Sequence, residues 1–346
     1  MGAEHRLAWG AQSVMAEVLL TIAIPTFNRG AKLHRLLSIV RDEIVVSHLQ
    51  ERVCVVVSDN ASADSTPCIV SQFANCGFGL TYHRQPDNLG FDGNLRFLYT
   101  HSNSRHVWFL ADDDVPLPGA VSRIVAALQR HDPDVLLFSF VQPPGCTTRQ
   151  FDYPEPLRLV VDPVTSIECV LRCTKVSIYV LRRPAFHDAE WRQLDGTLGD
   201  GWYYISLALA VLARSTDLRV ALISEPLAGC DNDFRTLAYV PSMFLRLHHS
   251  LEHPFVLRHC PGLVKSYYER GYYEAIQFCF AAKTNRLRPE DPGDYDRFIK
   301  GLPFRGGVLV RRPRSLLQFM ALKLGISGLW LRMKPLTFWL RIRPAA

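Results

Sequence analysis

Among 346 residues there is no CxxC pair, no GxGxxG, no GxxxxGK(S/T) and no window of 18 uncharged apolar residues. Each gap removes a class. Without CxxC spacing the nine cysteines read as buried thiols rather than metal ligands. An odd count in so long a chain fits a reducing, cytoplasmic setting better than a disulfide framework. Without the glycine fingerprints, neither a dinucleotide fold nor a phosphate-cradling P-loop is indicated. Without a long apolar window, no membrane-spanning helix is expected. The opening "MGAEHRLAWGAQSVMAEVLL" has no basic stretch ahead of a long apolar core, so no signal peptide is expected. Residues 1–14, ahead of Met15, are expected to be a disordered extension. Acid is missing from one place only. From Arg297 onward there are 11 Lys plus Arg and no Asp or Glu, while the other 296 residues hold 28 basic and 33 acidic groups. The whole basic excess therefore sits in the tail.

What is present is an alternation. "VLLTIAIP", "RVCVVVSD", "LTYHRQ", "HVWFLAD" and "DVLLFSF" read as strands. "GAKLHRLLSIVRDEIV", "STPCIVSQFANC", "FDGNLRFLYTHS" and "AVSRIVAALQRH" between them have helical spacing. Strand and helix in turn, with apolar strands, predict an α/β fold: a mostly parallel sheet covered on both faces. Ligands of such sheets bind beyond the carboxyl ends of the strands. Polar residues close each strand here. Thr26, Asn28 and Arg29 follow the first, and Asp59, Asn60 and Ser62 the second. Asn88 and Gly90 follow the third, and Asp112, Asp113 and Asp114 the fourth. Turn formers populate every loop, so a coincidence of turns is the plain alternative.

The three aspartates are the sharpest signal. Like charges side by side repel, and a carboxylate near an apolar interior loses hydration. A helix N-cap would explain one Asp, since a helix follows, but not three. Hard cations such as Mg²⁺ or Mn²⁺ bind through one or two carboxylates plus substrate phosphates. The cluster would thus hold a cation on a diphosphate, leaving Asp59 to accept hydrogen bonds from a base or ribose.

"IAIPTFNRGAKLHRLL", "VVVSDNASADST", "QPDNLGFDGNLRFL" and "WFLADDDVPLPGAV" resemble, in order, the motifs of family 2 glycosyltransferases with the GT-A fold, over roughly residues 18 to 140. The resemblance implies a GT-A-like sheet followed by a helical, basic C-terminal region. Its catalytic domain would cover 15–235, with a nucleotide-binding half at 15–140 and an acceptor half at 141–235, and a helical region at 236–346. It implies an inverting, metal-dependent transfer of one sugar from a nucleotide diphosphate sugar, of the kind found in bacterial surface-polysaccharide (O-antigen type) synthesis. By the same resemblance Pro25, Thr26, Asn28, Arg29, Asp59, Asn60, Asn88, Gly90, Asn94, Asp112 and Asp113 bind the nucleotide sugar. Asp114, with Asp112, would contact Mg²⁺ or Mn²⁺.

An inverting transfer needs a base for the acceptor hydroxyl. In the family it is an acid some 80 to 110 residues past the DXD, which points to "WRQLDGTLGDGWYYISLAL". Asp200 is the candidate, because Gly199 and Gly201 permit close approach and Trp202 could stack on a sugar. Asp195 is the reserve, and an ordinary N-cap role for Asp200 is the alternative. Asp231, Asn232 and Arg235 in "CDNDFRTLAY" are candidates for acceptor or diphosphate contacts. No QxxRW signature is present, which argues for single-sugar transfer. His248, His249, His253 and His259 do not follow a zinc-ligand pattern.

The tail from about 305 to 346 interleaves Leu, Phe, Trp and Met with Arg and Lys. It predicts an amphipathic surface that meets anionic lipid, holding the enzyme at the inner face of the cell membrane beside a lipid-linked or glycan acceptor. Packing on the catalytic domain with a solvated basic face is the alternative. Nothing else suggests a nucleic-acid partner. Two rivals keep the fold and change the chemistry. A sugar nucleotidyltransferase would need a Gly-rich basic loop that "PTFNRGAKL" lacks. A non-catalytic scaffold would have no use for the Asp triplet.

Overall fold

The computed structural model describes residues 18–142, 144–147, 149–150, 153, 156–172, 175–230, 236–237, 242–283, 288–289, 292–305, 309 and 311–324. Its centre is a ten-stranded sheet. The first four strands are β1 (Leu20–Thr26), β2 (Val53–Asp59), β3 (Gly79–Arg84) and β4 (His106–Phe109). They lie side by side in the order β3-β2-β1-β4, all parallel. The helices between them are α1 (Gly30–Val46), α2 (Thr66–Ser71) and α3 (Gly90–His101). β1 and β4 are buried along their whole length, whereas β3 is an edge strand whose residues are partly exposed.

Beyond β4 the sheet becomes mixed. The chain passes through a two-residue strand β5 (Val115–Pro116), helix α4 (Ala120–His131) and the buried strand β6 (Val135–Val141). It goes on through β7 (Arg149–Gln150), β8 (Leu157–Val160), α5 (Pro163–Arg172) and β9 (Tyr179–Arg182). α6 (Asp188–Asp195), α7 (Tyr203–Arg214) and β10 (Val220–Gly229) complete this half. Short β9 inserts antiparallel between β4 and β6, and β10 lies parallel to β6. The end of β10 pairs with β5, Gly229 opposite Val115, and so fixes the chain directly after the three aspartates.

Two apolar cores are present. The larger runs from Leu20 to Val256 and includes every buried side chain of α7 from Tyr203 to Leu212 except Ser206. The smaller joins Tyr272, Ile276 and Phe280 of α10 (Leu263–Lys283) to Ile299, Phe319 and Leu322. Ile299 lies on α11 (Pro292–Gly301), and the other two on a last helix, Pro313–Lys323. α8 (Ser242–Leu251) and α9 (Pro254–His259) pack on the larger core through Leu247, Leu251 and Val256. Short strands at Thr236–Leu237 and Arg288–Pro289 pair separately. No helix among the described residues is long and apolar enough to cross a membrane.

Candidate active site

The carboxyl ends of β1, β2, β3 and β4 are tied to one another by side-chain hydrogen bonds. Thr26 Oγ1 donates to Asp112 Oδ2 at 2.7 Å. Arg29 Nη1 donates to Asp112 Oδ1 at 3.0 Å and to Asp113 Oδ2 at 2.9 Å. Ser177 Oγ, between α5 and β9, accepts from Ala111 N at 3.0 Å and donates to Asp114 Oδ2 at 2.5 Å. Ser177 is set there by its carbonyl, which accepts from the indole of the fully buried Trp108. Asp112 and Asp114 are buried, and burial raises the Asp112 carboxyl above the usual range against the opposing pull of Arg29 and Thr26.

None of the three aspartates caps the helix that follows. α4 begins behind Gly119, whose N–H donates to Glu43 Oε1 of α1 at 2.8 Å, and Val121 N donates to Glu43 Oε2 at 3.3 Å. The capping explanation for the triplet is thereby removed: Glu43 does that work, and the acids are left facing Thr26, Arg29 and Ser177. Asp112 and Asp114 offer hard oxygen donors of the type that Mg²⁺ or Mn²⁺ takes together with phosphates. Among the described residues no group of three His, Cys, Asp or Glu is arranged to hold a cation unaided.

The second turn is locked from both sides. Asn28, at φ +53°, receives Ala63 N on its Oδ1, and its own N–H donates to Ser62 Oγ, both at 2.8 Å. Gly30 opens α1 with its N–H on Asp64 Oδ2; a Cβ there would stand 2.8 Å from Ser65 Oγ and 3.2 Å from Thr66 N. Asn60 Nδ2 donates to Asn88 Oδ1 at 2.6 Å and to the Gly90 carbonyl at 3.2 Å, and Asn60 Oδ1 accepts Leu89 N. Asn94 donates to the Ser58 carbonyl and keeps its Oδ1 buried with no hydrogen-bond partner among the described residues. Asp59 is fully buried. Its Oδ1 accepts Ser62 N at 2.8 Å and its Oδ2 accepts the Tyr82 hydroxyl at 2.7 Å, while burial and this carboxylate raise the Tyr82 hydroxyl. Both Asp59 oxygens are thus engaged within the protein, and the Arg84 guanidinium lies 3.9 Å from Oδ2.

The acceptor-side candidates separate. Asp195 is taken: Arg96 of α3 grips it with Nε to Oδ1 at 2.5 Å and Nη2 to Oδ2 at 2.9 Å. Asp200 is not the cap of α7, because Trp202 holds that position without a side-chain bond. The cap comes from Asp92, a residue that sequence reasoning missed. Its Oδ2 accepts Gly199 N at 2.9 Å and Gly201 N at 2.6 Å, and its Oδ1 accepts Tyr203 N at 3.3 Å. Burial, with Asp200 adding to it, raises the Asp92 carboxyl despite these three donors. The Asp200 side chain is left to meet His249 of α8, Nδ1 to Oδ2 at 2.9 Å, and lies 3.9 Å from Arg246 Nη1. Trp202 corrects an expectation: only 7% exposed and packed in the core, it has little ring face to offer a sugar. Asp231, Asn232 and Arg235 lie outside the described residues.

One turn of α3 therefore touches both halves of the site. Gly90 meets Asn60 and Asn88 on the nucleotide side, and Asp92 holds the Asp200 loop on the other. Residues 21–180 match the family model of Glycosyl transferase family 2. That match covers a little under half of the chain. Over 98 residues the chain is 32% identical to the abequosyltransferase RfbV of Salmonella typhimurium (strain LT2), a stretch equal to 28% of this chain and 28% of that relative. The alignment thus spans less than a third of the relative's length. The fold extends further than the family match. It is similar to S. aureus TarS 1-349, solved in complex with UDP-GlcNAc, with a TM-score of 0.60 at 14% identity over 88% of this chain and 90% of that one. Longer S. aureus TarS gives 0.56 at 15% identity, covering 88% of this chain and 54% of that one. The α/β, GT-A-like fold read from the sequence holds, and the family model matches the segment whose motifs carry the resemblance.

Proposed function

We propose that this protein moves one sugar, with inversion, from a nucleotide diphosphate sugar to the hydroxyl of a lipid-linked glycan in surface-polysaccharide synthesis. The observation that carries it is the Asp112–Asp114 cluster at the end of β4, with Asp112 and Asp114 buried, relieved of any capping duty and lying inside the segment that matches the family 2 model. Asp200 takes the proton of the acceptor hydroxyl. The acceptor oxygen bonds to the anomeric carbon as the bond from that carbon to the diphosphate breaks. Asp112 and Asp114 would hold Mg²⁺ or Mn²⁺, which neutralises charge on the departing diphosphate. Arg29, bonded to Asp112 and Asp113, adds a cation at the same place. Purified protein tested against a panel of nucleotide sugars, read as nucleoside diphosphate released, checks the donor class. Release from none of them contradicts the reading.

The membrane part rests on the last helix. Leu317, Met320 and Leu324 stand exposed at i, i+3 and i+7, with Phe304 exposed nearby in sequence and Arg311, Arg312 and Lys323 at the ends of the helix. An exposed apolar stripe with basic ends suits a peripheral contact with anionic lipid at the inner face of the membrane. Residues 325–346 lie outside the described part. Replacing Leu317, Met320 and Leu324 by Ser is expected to release the protein from anionic liposomes and to weaken transfer to a lipid-linked acceptor more than donor hydrolysis. Unchanged liposome binding counts against this surface.

A further inference from the structure

The Asp200 loop is held in an unusual way. Gly199 and Gly201 flank it at φ +87° and +83°, conformations that glycine adopts without strain. A Cβ at Gly199 would meet nothing within 4 Å, so side-chain packing does not fix that edge of the loop. The backbone is secured from below by Asp92 on α3 and by Arg246 of α8, whose Nη1 donates to the Gly199 carbonyl at 2.6 Å. These bonds hold the backbone of the loop, not the buried Asp200 carboxylate. Among the described residues, the side chain within hydrogen-bonding distance of that carboxylate is His249, reaching across from α8 with Nδ1 2.9 Å from Oδ2.

Resting on the reading of Asp200 as the base, we propose that His249 is its positioning residue, donating Nδ1–H to Oδ2 so that Oδ1 is turned to the acceptor hydroxyl. The direction of the bond follows from chemistry. An ionised carboxylate only accepts, so the ring must carry its proton on Nδ1. The charges around Asp200 make such a donor necessary. Asp92 approaches from α3 with a buried carboxylate of the same sign, and Arg246 stands 3.9 Å from Oδ1, beyond hydrogen-bond reach. His249 supplies the direct bond, and it does so from a half-exposed ring tilted at 56° to that of His248, with the ring centres 4.3 Å apart. This also gives one member of the His-rich stretch a task that needs no metal. His248 is turned to the Leu245 carbonyl and His253 caps α9 through Phe255 N.

The test compares His249→Ala, His249→Asn and Asp200→Asn in the full chain, with transfer kinetics, donor affinity and melting temperature measured for each. His249→Ala is expected to lower kcat by about 10–100-fold, the weight of one hydrogen bond to a charged group. Donor KM and melting should stay near those of the parent. His249→Asn places an amide N–H near the Nδ1 position and should return kcat to within a few-fold. Asp200→Asn should lower transfer by about 10²–10⁴. Unchanged kcat in His249→Ala beside an Asp200→Asn lowered to that extent overturns the inference and leaves the base in place. An Asp200→Asn of parental activity removes the base and the inference together. If His249→Asn is as inactive as His249→Ala, the imidazole itself takes the proton and the roles are reversed. A rise in donor KM without loss of kcat makes His249 a donor contact instead.

Discussion

Asp92→Ala is the substitution whose consequences the structure specifies most fully. It removes the acceptor of three backbone N–H groups, at Gly199, Gly201 and Tyr203. An orphaned buried donor costs about 1–3 kcal/mol. Gly199 is exposed and Gly201 partly so, which lets water replace some of what is lost, while Tyr203 is buried at the start of α7. Burial already disfavours the Asp92 charge, so losing it offsets part of the penalty. The net expectation is about 2–3 kcal/mol of stability, a fall of several degrees in melting temperature. The larger effect falls on catalysis, because the loop that carries Asp200 loses its floor. kcat should drop about 10–100-fold with donor affinity unchanged, since the nucleotide-side bonds of Asn60, Asn88 and Gly90 are untouched. Asp92→Asn, whose carbonyl still accepts two of the three donors, should lie between. Calorimetric donor titration, transfer kinetics and a thermal melt on the same preparations decide it. A destabilised variant with parental kcat would refute the link between this clamp and the base, and a loss of donor affinity would move Asp92 into the donor pocket.

Two further outcomes follow from single residues. Asp200→Asn should leave donor binding intact and reduce transfer by about 10²–10⁴, the usual weight of a general base, and intact transfer would move the base elsewhere. His106 is fully buried with Nε2 3.0 Å from the Pro133 carbonyl, and burial lowers its pKa from 6.5 to about 4. Between those values the unfolded chain binds a proton that the folded one refuses. Its contribution is therefore whole above pH 6.5 and is lost as pH falls toward 4, by about 3 kcal/mol. His106→Gln keeps a donor toward Pro133 without the titration. It should flatten the pH dependence of urea midpoints over that window, and parallel curves for the two proteins would refute the assignment.

What could be read from the sequence divides along physical lines. α1, α3 and α4 lie within a residue or two of the segments that apolar spacing marked out, because their buried faces carry the signal locally. The Asp triplet was legible because a fully buried strand ends abruptly in acid. "STPCIVSQFANC" promised a longer helix than it forms: α2 stops at Ser71 and the rest is turn. β9 escaped notice, since four residues after a turn carry no periodicity and their pairing between β4 and β6 is a tertiary event. The same holds for the polar groups that organise the site. Ser177 meets Asp114 across 63 residues, His249 meets Asp200 across 49, and Asp92 reaches Gly201 across 109. Asp92 stands in the first turn of α3, yet it caps a different helix, α7. Trp202 misled for the opposite reason: its place beside an apolar helix is the mark of a core residue, not of a sugar platform.

Under the proposed function, Asp112–Asp114 hold the diphosphate end of a nucleotide sugar through a divalent cation. The most direct measurement is nucleoside diphosphate release from a turned-over nucleotide sugar, run with Mg²⁺ or Mn²⁺, in chelator, and with Asp114→Ala. Release is expected to stop in chelator, to return when either cation is added back, and to be absent in Asp114→Ala at an unchanged fold. Full turnover in chelator, or in Asp114→Ala, would contradict it.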